Sequence, residues 1–165
     1  MREFDSEGPR SGGRPVVWAG RDEGPALVVV DPSGAARHDG LPATWHQLAD
    51  HFQVAWCRLP ASKRSLEDIE DVLETLDERR APAILVASGQ ACEAAVAIAA
   101  QFSNIVSAVL LVDPPADVDT ASLTGVEVRV VARSHDGPTD RIDAPMPLGH
   151  PEVVGGLVSA LAGIE

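Results

Sequence analysis

Four side chains that could perform nucleophilic chemistry lie in the second half of the sequence. Ser88 and Cys92 belong to ILVASGQACEAAVAIAA, residues 84–100, and Asp136 and His150 follow in that order. A hydroxyl or thiol that a histidine activates, with an acid orienting the histidine, attacks acyl groups and forms a covalent intermediate. An acid and a histidine without a nucleophile can hold a proton but cannot form an acyl-enzyme. Acyl transfer is therefore the chemistry to test against the elements that position these residues.

Strand and helix patterns alternate along the chain. Strands are predicted for six short apolar runs: PVVWAG, ALVVVD, QVAWCRL, AILVA, SAVLLVD and VEVRVVA. The continuous β-branched run ALVVVD is typical of a strand that is covered on both faces. Helices are predicted for TWHQLADHF, SLEDIEDVLETLDERR, about Gln90 to Gln101, and PEVVGGLVSALAGI, where Pro151 lies in the first turn. Ser65 and Asp68 form a capping box at the start of the second helix. This order predicts an α/β fold, a three-layer sandwich with a mostly parallel sheet.

One domain is predicted for residues 15–165, after a loose tail. Residues 1–14 are rich in Gly, Arg, Ser and acids without periodicity, so they bury too little apolar area to offset the entropy of being ordered. In a parallel sheet, ligands and catalytic groups collect at the carboxyl ends of the strands. The site is therefore expected in the loops that begin at Asp31, Ala87, Asp113 and Ala132.

From about Pro15 to the C-terminus, the order of elements resembles the α/β-hydrolase family. In that family a strand ends in a small-x-nucleophile-x-small elbow, because the strand and helix backbones nearly touch. On LVASGQAC the resemblance puts Ala87 and Ala91 at the small positions and Gly89 at the nucleophile position. A serine there would store the strain of a positive φ, which glycine relieves. The resemblance thus implies a hydrolase-like fold whose nucleophile is missing.

Two other residues remain as alternative nucleophiles. If Ser88 were the apex, Val86 and Gln90 would occupy the small positions, and their side chains would crowd the approach of strand and helix. Cys92 lies three residues past the apex, inside the predicted helix, where a thiol usually packs in the core. We therefore expect Gly89 at the apex. The alternative is a small serine esterase or thioesterase that uses Ser88.

The resemblance also assigns an acid and a histidine. Asp136 follows the late strand VEVRVVA and His150 precedes the last helix, which are the family's positions. Each has an ordinary interpretation as well, since Asp-Gly is typical of a turn and a histidine before Pro151 can cap a helix. Without a hydroxyl, the pair could activate a water directly, a weaker route worth about 10²- to 10⁴-fold.

The expected donors to an oxyanion are altered too. The resemblance takes one backbone donor from Gln90 and another from the loop after an early strand, which here reads Asp31-Pro32-Ser33-Gly34. A carboxylate opposes a developing negative charge, and proline has no backbone N–H. The loop could equally be a plain turn. Where relatives insert a lid, only PPADVDTASLTG is present, so any cleft would be shallow and open.

Composition and charge limit the class of function. The 165 residues include 13 basic and 25 acidic side chains, so the formal charge of −12 would repel nucleic acid and anionic membranes. The N-terminal residues lack a signal-peptide pattern, and no run approaches the roughly 20 apolar residues of a membrane span. We therefore expect a cytoplasmic protein in which Cys57 and Cys92 are buried, reduced thiols.

Neither a cofactor nor a metal is expected. The phosphate-cradling glycine motifs are missing from the sequence, and His38, His46 and His51 lack a ligand spacing. The expected partner is a small-molecule ligand or another protein, and the acidic surface would favour a basic one. The oligomeric state stays open at this level.

Overall fold

The strands and helices follow the predicted order closely. The computed structural model describes residues 16–31, 41–58, 64–120, 123–134 and 148–164. The strands are β1 (Val16–Gly20), β2 (Ala26–Asp31), β3 (Gln53–Arg58), β4 (Ala83–Ser88), β5 (Val106–Val112) and β6 (Glu127–Ala132). A 3-10 turn (Ala43–Trp45) leads into α1 (His46–Ala49), and the longer helices are α2 (Arg64–Glu78), α3 (Ala91–Gln101) and α4 (Pro151–Ile164). The predicted tail lies outside the described residues.

The six strands form one mixed sheet in the order β1-β3-β2-β4-β5-β6. β1 is antiparallel to β3, and every other pairing is parallel. Parallel neighbours need crossover connections, and helices lie in the connections from β2 to β3, from β3 to β4 and from β4 to β5. The described residues between β5 and β6 contain no helix. The predicted α/β class, with a mostly parallel sheet, is confirmed.

Two apolar clusters cover the two faces of the sheet. Alternate residues of β2 and β4 enter opposite clusters, because successive side chains of a strand point to opposite faces. One cluster includes Ile69, Leu73 and Leu76 of α2 together with buried residues of α3. The other includes Trp45, Leu148 and the buried residues of α4. Both faces of β2 and β4 are therefore buried, which explains their continuous apolar sequences.

The ends of α2 differ in part from their sequence prediction. The helix begins at Arg64, so Ser65 lies within its first turn and not ahead of it as the capping box requires. After the last helical residue, Arg80 adopts a φ of +57°, and the Ala81 N–H donates to the Leu76 carbonyl at 2.9 Å. This left-handed residue closes the helix in the way that glycine usually does.

The two cysteines are free and buried, as predicted. Within the described ranges, no helix has both the length and the apolar character needed to cross a membrane.

Candidate functional site

The carboxyl ends of the parallel strands bring several candidate residues to one edge of the sheet. Asp31 is the last residue of β2, Ser88 is the last residue of β4, and Asp113 directly follows β5. Ser33 and Asp136 lie outside the residues that the structure describes. We call the edge of the sheet formed by the carboxyl ends of β2, β4 and β5 the carboxyl edge.

Helix α4 brings His150 to the same edge. Gly156 packs on the backbone carbonyl of Val131, near the end of β6, whereas Gly163 lies beside the Arg129 side chain, nearer the start of that strand. The helix therefore runs antiparallel to β6, and its N-terminus points toward the carboxyl edge. His150 immediately precedes that N-terminus.

The bend between β4 and α3 is centred on Gly89. Its φ is +57°, its N–H donates to the Val112 carbonyl at 2.9 Å, and its own carbonyl accepts from the Cys92 N–H at 3.1 Å. Ser88, the residue before it, still pairs with Val112 in the sheet. The left-handed backbone therefore falls at the position that the resemblance gives to the nucleophile, and that position carries no side chain.

Ser88 lies within the protein interior. It is 1% exposed, and β2 and β4 pair in register up to Val30 and Ala87. One step further in that register are Asp31 and Ser88, whose side chains share the sheet face that α4 covers. A hydroxyl packed against this face cannot reach an acyl group in solvent without movement of the bend.

Asp31 is held by an indole beneath the edge. The fully buried Trp56 donates its Nε1–H to Asp31 Oδ2 at 2.8 Å. Hydrogen bonds to a carboxylate are shorter and stronger than neutral ones. Trp45 meets Trp56 edge to face, with ring centroids 4.7 Å apart and an interplanar angle of 80°. The carboxylate is thus aimed into the protein, where an indole partly satisfies it.

Trp45 extends this contact to the segment before α4. Its Nε1–H donates to the Leu148 carbonyl at 2.7 Å, and the Thr44 hydroxyl donates to the Gly149 carbonyl at 2.6 Å. The backbone that leads to His150 is therefore fixed on the 3-10 turn. The sequence did not predict that Trp45 and Trp56 contribute to this site. The available signal was their rarity, because aromatic residues are only 4% of the chain and two of its three tryptophans meet here.

His150 caps α4. Its Nδ1 accepts a hydrogen bond from the Glu152 N–H at 3.1 Å, and its carbonyl accepts from the Val153 and Val154 N–H groups at 3.0 and 3.1 Å. An Nδ1 that accepts carries no proton, so a neutral ring has its proton on Nε2. A catalytic histidine needs the opposite arrangement, with Nδ1–H donated to an acid and Nε2 free to take a proton. The observed ring therefore acts as a helix cap.

Asp113 ties the ends of β5 and β6 together. Its backbone is left-handed, with a φ of +50°, and its N–H donates to the Ala132 carbonyl at 2.9 Å. Its Oδ1 accepts from the Ser134 N–H at 2.6 Å and from the Ser134 hydroxyl at 3.1 Å. The sequence predicted that the loop beginning at Asp113 contributes to the site, but it predicted no role for the Asp113 side chain. In the structure it fixes the turn after β6.

Cys92 packs in the core, as the sequence predicted. Its thiol lies 3.6 Å from the Ala87 carbonyl oxygen, and burial raises its pKa to about 11. At neutral pH the sulfur is therefore a protonated thiol, which is a poor nucleophile. Across the described part of the chain, no three His, Cys, Asp or Glu side chains are grouped closely enough to hold a metal ion.

Comparisons with known proteins return only structural likeness. No family model matches the chain, and no curated protein matches it. Cfl2 from Burkholderia cenocepacia is 22% identical over 66% of this chain and 41% of its own, with a TM-score of 0.43. A hydrolase from Oleispira antarctica is 16% identical over 60% and 41%, with a TM-score of 0.40.

A third structure covers more of the chain. It comes from the metagenome-derived lipolytic enzymes LipS and LipT and is 15% identical over 93% of this chain and 71% of its own, with a TM-score of 0.43. The chain spans about two fifths of the length of the first two proteins. The names of the second and third proteins describe a hydrolase and lipolytic enzymes. Likeness of this extent says nothing about activity.

Proposed function

We propose that this chain is an α/β-hydrolase-like protein without the elbow nucleophile, and that its carboxyl edge binds a small ligand or a protein partner without acyl transfer. The observation that carries the proposal is the backbone of Gly89. The one residue of the bend that has a left-handed φ has no side chain with which to attack a substrate.

The neighbouring groups support the proposal because each is engaged elsewhere. Ser88 is buried on the sheet face, and the Cys92 thiol is protonated at neutral pH. The imidazole of His150 caps a helix through Nδ1, which is the atom whose N–H an orienting acid would have to accept. In the described part of this edge, the arrangement offers no activated hydroxyl or thiol, and binding is the function that remains.

A fluorophosphonate probe and an activated ester test the proposal. We expect the wild-type protein to remain unlabelled and to hydrolyse p-nitrophenyl acetate no faster than Ser88→Ala and His150→Gln, with a known serine esterase as the positive control. Covalent labelling at Ser88 that Ser88→Ala abolishes would overturn the proposal. It would establish the alternative, a small esterase or thioesterase with His150 as base and Asp136 as orienting acid.

Gly89→Ser tests whether the rest of a catalytic group persists. Because Nδ1 of His150 accepts from the Glu152 N–H, we expect this variant to fold and to stay inactive. Turnover of the ester by Gly89→Ser, lost again in Gly89→Ser/His150→Gln, would show that the histidine can still act as a base. A folded and inactive variant would show that the acid and histidine are not a preserved pair.

A further inference from the structure

A depression lies at the amino ends of the parallel strands, on the side of the sheet away from the carboxyl edge. It has a volume of about 450 Å³ and is lined by Trp18, Arg21, Asp22, Gln53 and Arg79, together with the backbone at the end of β1. The pairing of Gly20 with Gln53 puts it where β3 begins, away from the Gly89 bend. Small-molecule sites have volumes of roughly 300 to 1,000 Å³. The depression is therefore large enough for a small ligand, and its chemistry does not depend on the carboxyl edge.

Arg79 is held in place from below. Its Nη1–H donates to Gln53 Oε1 at 3.0 Å, and Gln53 Nε2 donates to the Gly24 carbonyl at 2.6 Å. Gln53 is only 1% exposed, so its amide is a fixed support. A guanidinium carries five N–H donors, and this contact uses one of them. The remaining donors are available on a side chain whose position is already set.

Trp18 supplies an aromatic surface beside that cation. The Arg79 guanidinium carbon lies 5.4 Å from the centre of the Trp18 ring, within the range of a cation–π contact. Trp18 is 42% exposed, while Trp45 and Trp56 are fully buried. An exposed indole fixed by an arginine can stack against a planar ring that arrives from solvent.

The positive charge here is unusual for this chain. Arg21 and Arg79 both line the depression. Within the described residues, no ion pair joins either arginine to a carboxylate. The chain has 25 acidic residues against 13 basic ones, so two arginines without such a pair in one depression form a local exception. A guanidinium pairs with a carboxylate or phosphate through two parallel hydrogen bonds. Asp22 is the one acidic residue among the described residues of the lining, and it opposes an anion.

We propose that this depression binds a small aromatic anion, with the ring of the ligand stacked on Trp18 and its carboxylate or phosphate paired with Arg21 and Arg79. The indole selects the ring and the two guanidinium groups select the charge. The proposal is independent of any activity at the carboxyl edge.

Binding is measured on the full chain by NMR of the three tryptophan indole N–H groups and by calorimetry. The probes are adenosine monophosphate and 1-naphthoate, which carry a ring and an anion, with adenosine and inorganic phosphate as the single-feature controls. We expect both aromatic anions to bind and to shift the Trp18 resonance, while Trp45 and Trp56 stay unchanged. Adenosine and phosphate should each bind at least about tenfold more weakly.

Matched arginine variants locate the anion. Arg79→Gln and Arg21→Gln should each weaken binding about tenfold or more, because each removes a charge-assisted contact. Arg80→Gln is the control, since Arg80 adjoins Arg79 but lines a different depression. Asp22→Asn should tighten binding. Arg21→Gln leaves the contact of Arg79 with Gln53 intact, so it tests the site even if Arg79→Gln disturbs the fold.

Two results would overturn the proposal. One is the absence of binding by both aromatic anions at about 1 mM ligand. The other is binding that is equally tight for adenosine or phosphate alone, or equally tight in Arg21→Gln and Arg80→Gln. Neither result bears on the fluorophosphonate experiment, so failure here is distinguishable from failure of the proposed function.

Discussion

Replacing Gly89 with alanine tests the geometry on which the proposed function depends. At a φ of +57°, a residue with a Cβ is strained by roughly 1–3 kcal/mol. Alanine also reduces the conformational entropy of the unfolded chain, which offsets about 0.4–1 kcal/mol of that cost. We therefore expect Gly89→Ala to lower the free energy of unfolding by about 1–2 kcal/mol. Crowding in the buried bend would add to the loss.

The assay is equilibrium urea unfolding followed by circular dichroism, and Gly125→Ala is the matched control. Gly125 has a φ of +79°, and an added Cβ would meet no atom within 4 Å. Its loss of stability therefore measures the backbone strain less the unfolded-chain entropy, without any crowding of the added Cβ. Any further loss in Gly89→Ala measures how tightly strand and helix approach each other at the bend.

One outcome would refute the reasoning. If Gly89→Ala were neutral or stabilising while Gly125→Ala lost stability, the bend at Gly89 would not be left-handed. The apex would then lie at another residue, as the alternative with Ser88 requires. Unchanged slopes of the unfolding curves would confirm that the variants differ in stability and not in the extent of unfolding.

Three further predictions concern the frame around the site. Gly155→Ala should raise the free energy of unfolding by about 0.5–1 kcal/mol, because its Cβ would be unobstructed in a helix. Gly156→Ala should lower the free energy of unfolding by about 1–3 kcal/mol, because its Cβ would overlap a β6 carbonyl oxygen. Thermal unfolding compares the two variants, and equal shifts would contradict the packing of α4. Trp56→Phe should cost about 1.5–3 kcal/mol in urea unfolding by removing the donor to Asp31, and a neutral result would mean that the bond contributes nothing. Burial raises the pKa of Cys92 from 9.0 to about 11, so the unfolded chain loses this proton at a lower pH than the folded chain. The free energy of unfolding should therefore be independent of this thiol below pH 9 and should fall between pH 9 and about 11. In Cys92→Ala the free energy of unfolding should fall less steeply over that range, and a slope identical to that of the wild type would contradict the burial.

Much of the fold follows from local patterns. Continuous β-branched runs such as ALVVVD are typical of strands that are covered on both faces, and the structure buries every residue of that strand. The apolar positions Ile69, Leu73 and Leu76 recur at helical spacing and line the buried face of α2. The small residues around Gly89 likewise predicted a tight turn from strand to helix at that point. These features depend on neighbours in the sequence, which is why the sequence alone is informative about them.

The contacts of the carboxyl edge could not be predicted in this way. Trp56 lies 25 residues from Asp31, and Trp45 lies 103 residues from Leu148. Whether such side chains meet depends on the strand order and on the register of β2 with β3. Neither quantity is encoded by the spacing of residues within one element.

By itself, the sequence determined that the bend carries a glycine and that strands and helices alternate, because residue identity and local periodicity set the accessible backbone conformations. Only the tertiary structure decided what the remaining polar groups do. His150 is a helix cap because α4 begins at the next residue, Pro151, so that the Glu152 N–H lies within reach of the His150 Nδ1. Ser88 is buried because its side chain points to the sheet face that α4 covers. Direction within a packed sheet is a property of the whole assembly of elements, so residue type could name the candidates but not their roles.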